Sequence, residues 1–399
     1  MKLGIDVLLG DPQLKKSLQG RRLALLAHPA SMSQTFSSSI DALAACPELK
    51  LTAAFGPQHG MRGEKQDNMV ESDDYLDPVH QIPVFSLYGD VRVPTAQMLD
   101  AFDVLLVDIQ DVGTRVYTFL TTLMYVLQAC GKAHKAVWIL DRPNPAGRPV
   151  EGSLLGPEWT SFVGAAEFPM RHGLTLGEAA HWFVKNKQIN VEYKVIAMEG
   201  YRPDQGPEWG WPASLPWVNP SPNAASLNMA RCYPGTVLLE GTYLSEARGT
   251  TRPLEILGAP GLDTGLLLHT MEKLAPTWLE GCRLRPCYFQ PTFQKHAGQI
   301  CAGFQIHVDE AFYQHEKFKP YRLIALSFKA LRLIQPDYLL WRDFHYEYEK
   351  DRLAIDLIAG GSFLREWVDE PQSSISDLDR FLLKDERLWI ESRAEFLLY

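Results

Sequence analysis

The sequence lacks the features that mark several large classes of protein. No stretch is rich in lysine and arginine, and the 399 residues carry a formal net charge of −9. This charge argues against a nucleic-acid partner, because phosphate backbones are bound by basic patches. No segment approaches the roughly 20 apolar residues of a membrane helix, so no membrane partner is expected. Neither an internal repeat nor a low-complexity tract is present.

Cysteine is sparse, with six residues at positions 46, 130, 232, 282, 287 and 301. The closest pair, Cys282 and Cys287, has no matching pair that would complete a zinc site, so no metal is expected. Sparse cysteine in a long chain is typical of a reduced, intracellular protein. The first residues contain neither an apolar signal core nor a small-residue cleavage site. The chain as given is therefore expected to be cytoplasmic, or exported if a leader was trimmed from it.

Two catalytic fingerprints are missing as well. No Gly-x-Gly-x-x-Gly follows the first predicted strand, and no Gly-x-Ser-x-Gly elbow is present. The first absence gives no support to a dinucleotide cofactor, and the second gives none to a serine hydrolase. A nucleotide-dependent enzyme on a Rossmann-like fold remains an alternative that lacks its glycine signature.

Strand and helix patterns alternate through the first half of the chain. Such alternation predicts a parallel sheet with right-handed crossovers, and therefore an α/β fold. A chain of this length has room for about two domains. The predicted strands are residues 21–27, 49–55, 84–88, 102–109, 136–140 and 191–196, and the predicted helices include 36–45, 119–130 and one beginning at Thr175 with a capping box to Glu178.

Residues 203–223 are rich in proline and contain three tryptophans. This composition predicts an extended crossing segment, and it places a domain boundary near residue 225. The second domain, 226–399, mixes a predicted strand at 303–308 with helical patterns at 319–334 and 375–386. It is therefore predicted to be α+β.

Polar side chains follow the predicted strands of the first domain. Because the carboxyl ends of parallel strands lie on one edge of a sheet, these side chains are expected to converge on a site. A solvated turn is the alternative for any one cluster. The clusters are Gln58, His59, Arg62 and Glu64; Asp108, Gln110, Asp111 and Arg115; Asp141, Arg142 and Asn144; and the nearby Glu151.

A second polar stretch, residues 239–255, opens the second domain with acids, hydroxyls and arginines between apolar runs. Carboxylates together with tryptophans suggest sugar chemistry. Glycoside hydrolysis usually needs two carboxyl groups, and aromatic faces pack well against apolar surfaces such as those of sugar rings. Lone histidines such as His172 and His296 are expected to be structural.

Several motifs, in a fixed order over nearly the whole chain, resemble those of the bacterial exo-acting β-N-acetylmuramidases. The motifs are Gly56–Gly63, Asp108–Tyr117, Asp141–Pro145, Glu151–Gly152, Pro220–Asn223 and Glu240–Thr251. The resemblance implies a Rossmann-like N-terminal domain (1–225), a smaller α+β C-terminal domain (226–399) and an active-site cleft between them. It also implies a glycoside hydrolase that releases N-acetylmuramic acid from the non-reducing ends of peptidoglycan fragments, without a metal or cofactor. The expected partner is a small carbohydrate or muropeptide.

The resemblance also implies site residues. Arg62, Arg115 or Arg248 would pair with the lactyl carboxylate of the sugar, since arginine suits bidentate contacts with carboxylates. The catalytic candidates are Gln58, His59, Glu64, Glu240 and Glu246. The substrate-binding candidates are Arg62, Asp108, Gln110, Arg115, Tyr117, Asp141, Arg142, Asn144, Glu151, Asn219, Ser221, Asn223, Arg248, Thr250 and Thr251.

One residue departs from the family pattern. The family usually has Pro-Glu-His-Gly, where this chain has Gln58. An amide cannot exchange a proton as a carboxyl group does. Either another acid such as Glu64 serves, or the substrate's acetamido group is the nucleophile and Gln58 orients it, or activity is lost. The last case leaves a catalytically impaired muropeptide-binding protein as the alternative function.

Overall fold

The computed structural model describes residues 1–63, 65 and 69–399. Its strands are β1 (Arg22–Ala27), β2 (Lys50–Gly56), β3 (Tyr75–Leu76), β4 (Pro83–Ser86), β5 (Val104–Asp108), β6 (Ala136–Leu140), β7 (Tyr193–Ile196), β8 (Ile256–Ala259), β9 (Arg283–Phe289) and β10 (Cys301–His307). Its α-helices are α1 (Gly4–Gly10), α2 (Pro12–Leu18), α3 (Ser39–Ala44), α4 (Ala96–Leu99), α5 (Phe119–Lys132), α6 (Leu176–Asn186), α7 (Leu227–Thr236), α8 (Thr264–Leu274), α9 (Pro320–Ile334), α10 (Ala354–Ala359), α11 (Phe363–Asp369) and α12 (Ile375–Arg393).

The first seven strands form one sheet in the order β3-β4-β2-β1-β5-β6-β7. All neighbouring pairs are parallel except β3 with β4. Every residue of β5 and β6 is buried, as expected of strands covered on both faces. The predicted α/β class is confirmed. The strand order reverses between β1 and β5, and open α/β sheets bind ligands outside the strand ends at such a point.

Helix α6 begins where its capping box was predicted. The Thr175 hydroxyl oxygen accepts from the Glu178 amide at 3.2 Å, and the Glu178 carboxylate accepts from the Thr175 amide at 2.8 Å. The same carboxylate is held by the Arg148 guanidinium at 2.6 Å. Satisfying two free N–H groups in this way fixes the start of the helix.

The C-terminal part contains a three-stranded antiparallel sheet in the order β8-β10-β9, with helices packed around it. Helix α9 is buried from Pro320 to Leu331.

The boundary predicted near residue 225 falls just before α7, and it stays a prediction. Within residues 203–223, all of which are described, the chain forms turns rather than a helix or strand. In the described part of the chain, no helix has the length and apolar character needed to cross a membrane.

Two buried histidines resist protonation in the folded state. Burial, together with the nearby charges of Arg171 and Arg231, lowers the pKa of His315 to about 2. Its ring stacks on Trp209 with 4.5 Å between ring centroids. Burial also lowers the pKa of His28 well below its usual value. Unfolding exposes both rings to water, where a histidine is protonated below about pH 6.5.

Stability is therefore expected to fall in mild acid. Below about pH 6.5 the unfolded chain binds protons that the folded chain does not, so the free energy of unfolding drops by about 1.4 kcal/mol per pH unit for each histidine. Urea denaturation between pH 7 and pH 5 measures this slope. His315→Phe should reduce the slope by one histidine's share, whereas the control His269→Phe changes an exposed residue and should keep it. Equal slopes for the parent and His315→Phe contradict the assignment.

Candidate active site

A small cavity of about 40 Å³ lies where the loops after β2 and β5 meet the C-terminal part of the chain. The structure brings seven of the predicted site residues to its wall: Gln58, His59, Tyr117, Ser221, Asn223, Glu240 and Arg248. It adds residues that sequence reasoning missed, among them Thr118, Tyr233, Tyr346 and Glu347.

The loop after β2 forms one wall of the cavity. Gly56 is needed there, because a Cβ atom at this position would lie 2.5 Å from the Met61 amide nitrogen. His59 has a φ of 72°, in the left-handed region that non-glycine residues seldom adopt. The Thr118 hydroxyl donates to Gln58 Oε1 at 2.7 Å, and Gln58 Nε2 donates to Glu347 Oε1 at 3.2 Å. These two contacts fix which end of the Gln58 amide faces the carboxyl group.

Glu240 forms part of the opposite wall, in the short 3₁₀ helix Val237–Gly241 that follows α7. Arg248 Nη2 donates to Glu240 Oε1 at 2.6 Å, and the Tyr346 hydroxyl donates to Glu240 Oε2 at 2.8 Å. Burial lowers the pKa of Arg248, but Glu240 and Glu246 more than offset this and hold it above its usual value. The Glu240 carboxyl group is thus paired with a permanent positive charge.

Glu246 lies behind Arg248 rather than on the cavity wall. Its Oε1 accepts from Arg248 Nε at 3.2 Å, and its Oε2 is 2.5 Å from Lys295 Nζ. Burial by itself raises the pKa of Glu246, but Lys295 and Arg248 bring it below its usual value. The catalytic role of Glu246 stays a prediction, and the geometry favours a role in positioning Arg248.

Glu347 lies at the tip of a tight turn. The Glu349 amide donates to the Tyr346 carbonyl at 3.0 Å, and both central residues have positive φ, 46° at Glu347 and 72° at Tyr348. Such a two-residue turn normally uses Asn-Gly, because ordinary side chains are strained there. The Tyr88 hydroxyl donates to Glu347 Oε2 at 2.8 Å. The only sequence signal for this site was a run of alternating tyrosines and glutamates.

Other predicted residues at the sheet edge make hydrogen bonds within the protein, and their binding roles stay predictions. The Arg142 guanidinium donates two hydrogen bonds, of 2.5 and 2.9 Å, to the Asp108 carboxylate. Asp141 accepts from the Thr175 hydroxyl at 2.7 Å, and Asn144 donates to the Leu174 carbonyl at 2.9 Å.

A second cavity, of about 260 Å³, lies beside the ends of β1, β5 and β6 and is lined in part by Gln110, Arg142 and Trp211.

Two of the predicted substrate-binding residues point into the protein interior. Arg115 donates to the backbone carbonyls of Ser153, Phe168 and Ile358 at 2.7, 2.7 and 2.9 Å. Glu151 accepts from the first backbone amides of α9, those of Tyr321 at 3.0 Å and Arg322 at 2.9 Å, where a negative charge stabilises a helix. These contacts favour a structural role for both residues.

The remaining candidates lie away from the cavity wall. Arg62 is exposed, with its guanidinium carbon 4.6 Å from the centre of the Tyr75 ring. Asn219 and Thr251 are exposed, and the half-buried Thr250 donates to the Ala247 carbonyl at 2.7 Å. Glu64 lies outside the described residues, so its catalytic role stays a prediction. Across the described residues, no group of three or more His, Cys, Asp or Glu could hold a metal ion.

Comparisons with known proteins cover the whole chain. A family model described as "Exo-beta-N-acetylmuramidase NamZ, N-terminal" matches residues 23–228, and its C-terminal counterpart matches residues 231–399. A relative from Bacillus subtilis (strain 168), described as "Peptidoglycan beta-N-acetylmuramidase NamZ", is 36% identical over 400 residues, which span 100% of this chain and 91% of the relative.

Two crystal structures of DUF1343 family proteins from Bacteroides fragilis share the fold. One superposes with a TM-score of 0.85 at 27% identity, over 100% of this chain and 98% of that chain. The other has a TM-score of 0.73 at 24% identity with the same coverage, and supports the fold alone. The resemblance inferred from the motifs is confirmed, and the chain belongs to the exo-β-N-acetylmuramidase NamZ family.

Proposed function

We propose that this chain is an exo-acting glycosidase that releases N-acetylmuramic acid from the non-reducing ends of peptidoglycan fragments during cell-wall turnover and recycling. The observation that carries the proposal is the pair of buried carboxyl groups, Glu240 and Glu347, that line one cavity in a chain of this family. Two carboxyl groups flanking the scissile bond are what most glycosidases use.

The cavity also offers groups suited to a sugar acid. Of the three arginines considered for the lactyl carboxylate, Arg248 is the one on the cavity wall. Its charge is already shared between Glu240 and Glu246. Ser221, Asn223 and Tyr117 add neutral hydrogen-bonding groups to the wall. This arrangement supports recognition of one monosaccharide unit by several polar contacts.

The test is a comparison of two chromogenic substrates, a 4-nitrophenyl N-acetylmuramide and the matching N-acetylglucosaminide. They differ only in the lactyl ether, so selective release from the muramide reports recognition of that group. We expect turnover of the muramide and little turnover of the glucosaminide. No release from the muramide between pH 4 and pH 9 would contradict the proposed activity.

A second candidate is a muropeptide-binding protein without turnover. The observation that favours it is Gln58, which places an amide in the cavity where a proton-exchanging group is expected from the family. Titration calorimetry with N-acetylmuramic acid separates the two candidates. Saturable binding without hydrolysis of any muramide would support the binding protein, whereas hydrolysis excludes it.

A further inference from the structure

We infer that Glu347 is the proton donor to the leaving-group oxygen. This inference rests on the proposed glycosidase function and names the group that performs one half of its chemistry. Glycosidases divide the two carboxyl groups between an acid that carries a proton and a second group that acts as a carboxylate. The structure distinguishes the two carboxyl groups in the cavity by their partners.

The partners of Glu240 and Glu347 differ in charge. Glu240 forms an ion pair with the guanidinium of Arg248 at 2.6 Å. Glu347 accepts instead from two neutral donors, the Gln58 amide at 3.2 Å and the Tyr88 hydroxyl at 2.8 Å. An ion-paired carboxyl group beside a second one that is held by neutral donors is the arrangement expected of a carboxylate and its complementary acid.

Burial also separates Glu347 from water. Its residue is 5% exposed, although it stands at the tip of a surface turn. This burial raises the pKa of the Glu347 carboxyl group, and the negative charge of Glu240 raises it further. The hydrogen bonds from Tyr88 and Gln58 and the positive charge of Arg92 lower the pKa, but the net effect is a rise. The groups that face Glu347 are Gln58, Tyr88, Arg92, Tyr233, Glu240, Tyr346 and Tyr348.

The backbone provides an independent observation. Glu347 and Tyr348 both have positive φ, which non-glycine residues seldom adopt, and backbone strain of this kind is concentrated at functional sites. Residues outside the turn hold it in place through Tyr348. The Tyr348 ring lies 3.8 Å from the Arg92 guanidinium, and its hydroxyl donates to Glu71 at 2.8 Å. The strained turn therefore delivers one carboxyl group into the cavity and fixes it there.

The proposed step is a proton transfer coupled to bond cleavage. The Glu347 carboxyl group gives its proton to the glycosidic oxygen, and the bond from C1 to that oxygen breaks with its electron pair remaining on the oxygen. Over the whole cycle, one water molecule supplies the hydroxyl group on C1 and the proton that restores Glu347. Gln58 acts beside it as a positioning residue, because its amide holds the carboxyl group without competing for the proton.

The test compares Glu347→Gln with Glu349→Gln, a control in the same turn whose carboxylate lies 3.8 Å from Arg352. A general acid matters for a sugar leaving group and little for an acidic phenol. On a disaccharide with N-acetylmuramic acid at its non-reducing end, Glu347→Gln should lower kcat by about 10²–10⁴-fold. On the 4-nitrophenyl muramide, the decrease in kcat of Glu347→Gln should be far smaller. Glu349→Gln should resemble the parent on both substrates.

The pH profile gives a second readout. On the disaccharide, activity of the parent should decline at high pH as Glu347 loses its proton, and the residual activity of Glu347→Gln should lack this decline. On the nitrophenyl substrate the decline of the parent should be far smaller. Tyr88→Phe removes a donor that stabilises the carboxylate, so the decline should move to higher pH, which tests the inference even if Glu347→Gln fails to fold. Equal losses on both substrates, or an unmoved profile in Tyr88→Phe, would overturn the role of Glu347 alone. A parent that cleaves neither substrate overturns the proposed function and this inference together.

Discussion

Replacing Glu240 with glutamine is expected to lower kcat on the 4-nitrophenyl muramide by about 10²–10⁴-fold. Glu240 lines the cavity and is paired with Arg248, so in the proposed glycosidase it is the described carboxyl group that we expect to act on the sugar carbon or on attacking water. Glutamine keeps the shape and one acceptor for Arg248 or Tyr346, but it cannot exchange a proton or form a carboxylate. The loss should appear in kcat more than in KM.

The matched control for this experiment is Glu272→Gln, which removes an exposed carboxyl group from α8. Circular dichroism and thermal unfolding of both variants should match the parent closely enough to exclude misfolding. If Glu240→Gln keeps the parent's kcat across the pH range, Glu240 has no catalytic role. The carboxylate function would then pass to Glu64 or to the acetamido group of the substrate.

Replacing Glu246 with glutamine should instead lower the free energy of unfolding, by about 3–5 kcal/mol. The Lys295 side chain is 6% exposed, and its ammonium nitrogen lies 2.5 Å from Glu246 Oε2. Burial already lowers the pKa of Lys295, and Glu246 is the charge that counteracts this most. Glutamine leaves the buried cation with neutral acceptors, which are its own amide oxygen and the backbone carbonyls of Leu239, Thr242 and Leu244.

A double variant separates this effect from general damage to the loop. Glu246→Gln combined with Lys295→Met removes both charges and keeps a side chain of similar volume, so it should recover much of the lost stability. The exposed pair Lys185 and Glu395 provides the control, since Glu395→Gln should cost less than about 1 kcal/mol. Urea denaturation of the four proteins measures these differences. If the double variant is no more stable than Glu246→Gln alone, the buried charge is not the cause.

The sheet could be predicted because apolar runs in buried strands are a local signal. The runs at 21–27 and 136–140 became β1 and β6 with at most one residue of difference. The polar residues after the strands were harder to assign. Gln58 and His59 do line the cavity, but Asp108 and Arg142 satisfy each other, and no local pattern shows which strand-end groups pair internally.

Glu347 was beyond prediction for a physical reason. Its turn has a backbone that normally requires glycine or asparagine, so the residues Glu347 and Tyr348 give no turn signal. Its contact with Gln58 joins positions 289 residues apart in the chain. Such a contact depends on how the two parts of the molecule meet, and this is decided by packing rather than by local propensity.

The small volume of the cavity has a consequence for the affinity of the proposed substrate. About 40 Å³ holds only a few water molecules, so we expect a sugar ring to bind only after part of the wall has moved. The measured dissociation constant is then the intrinsic constant divided by the population of that open state, so an open fraction of about 1% weakens apparent affinity about 100-fold. Tyr348 contacts Arg92 and Glu71 beside the turn that carries Glu347, so in the proposed glycosidase we expect these contacts to influence the apparent affinity without touching the sugar. Opening of active-site walls commonly takes microseconds to milliseconds, so we expect the same contacts to influence how fast the product leaves.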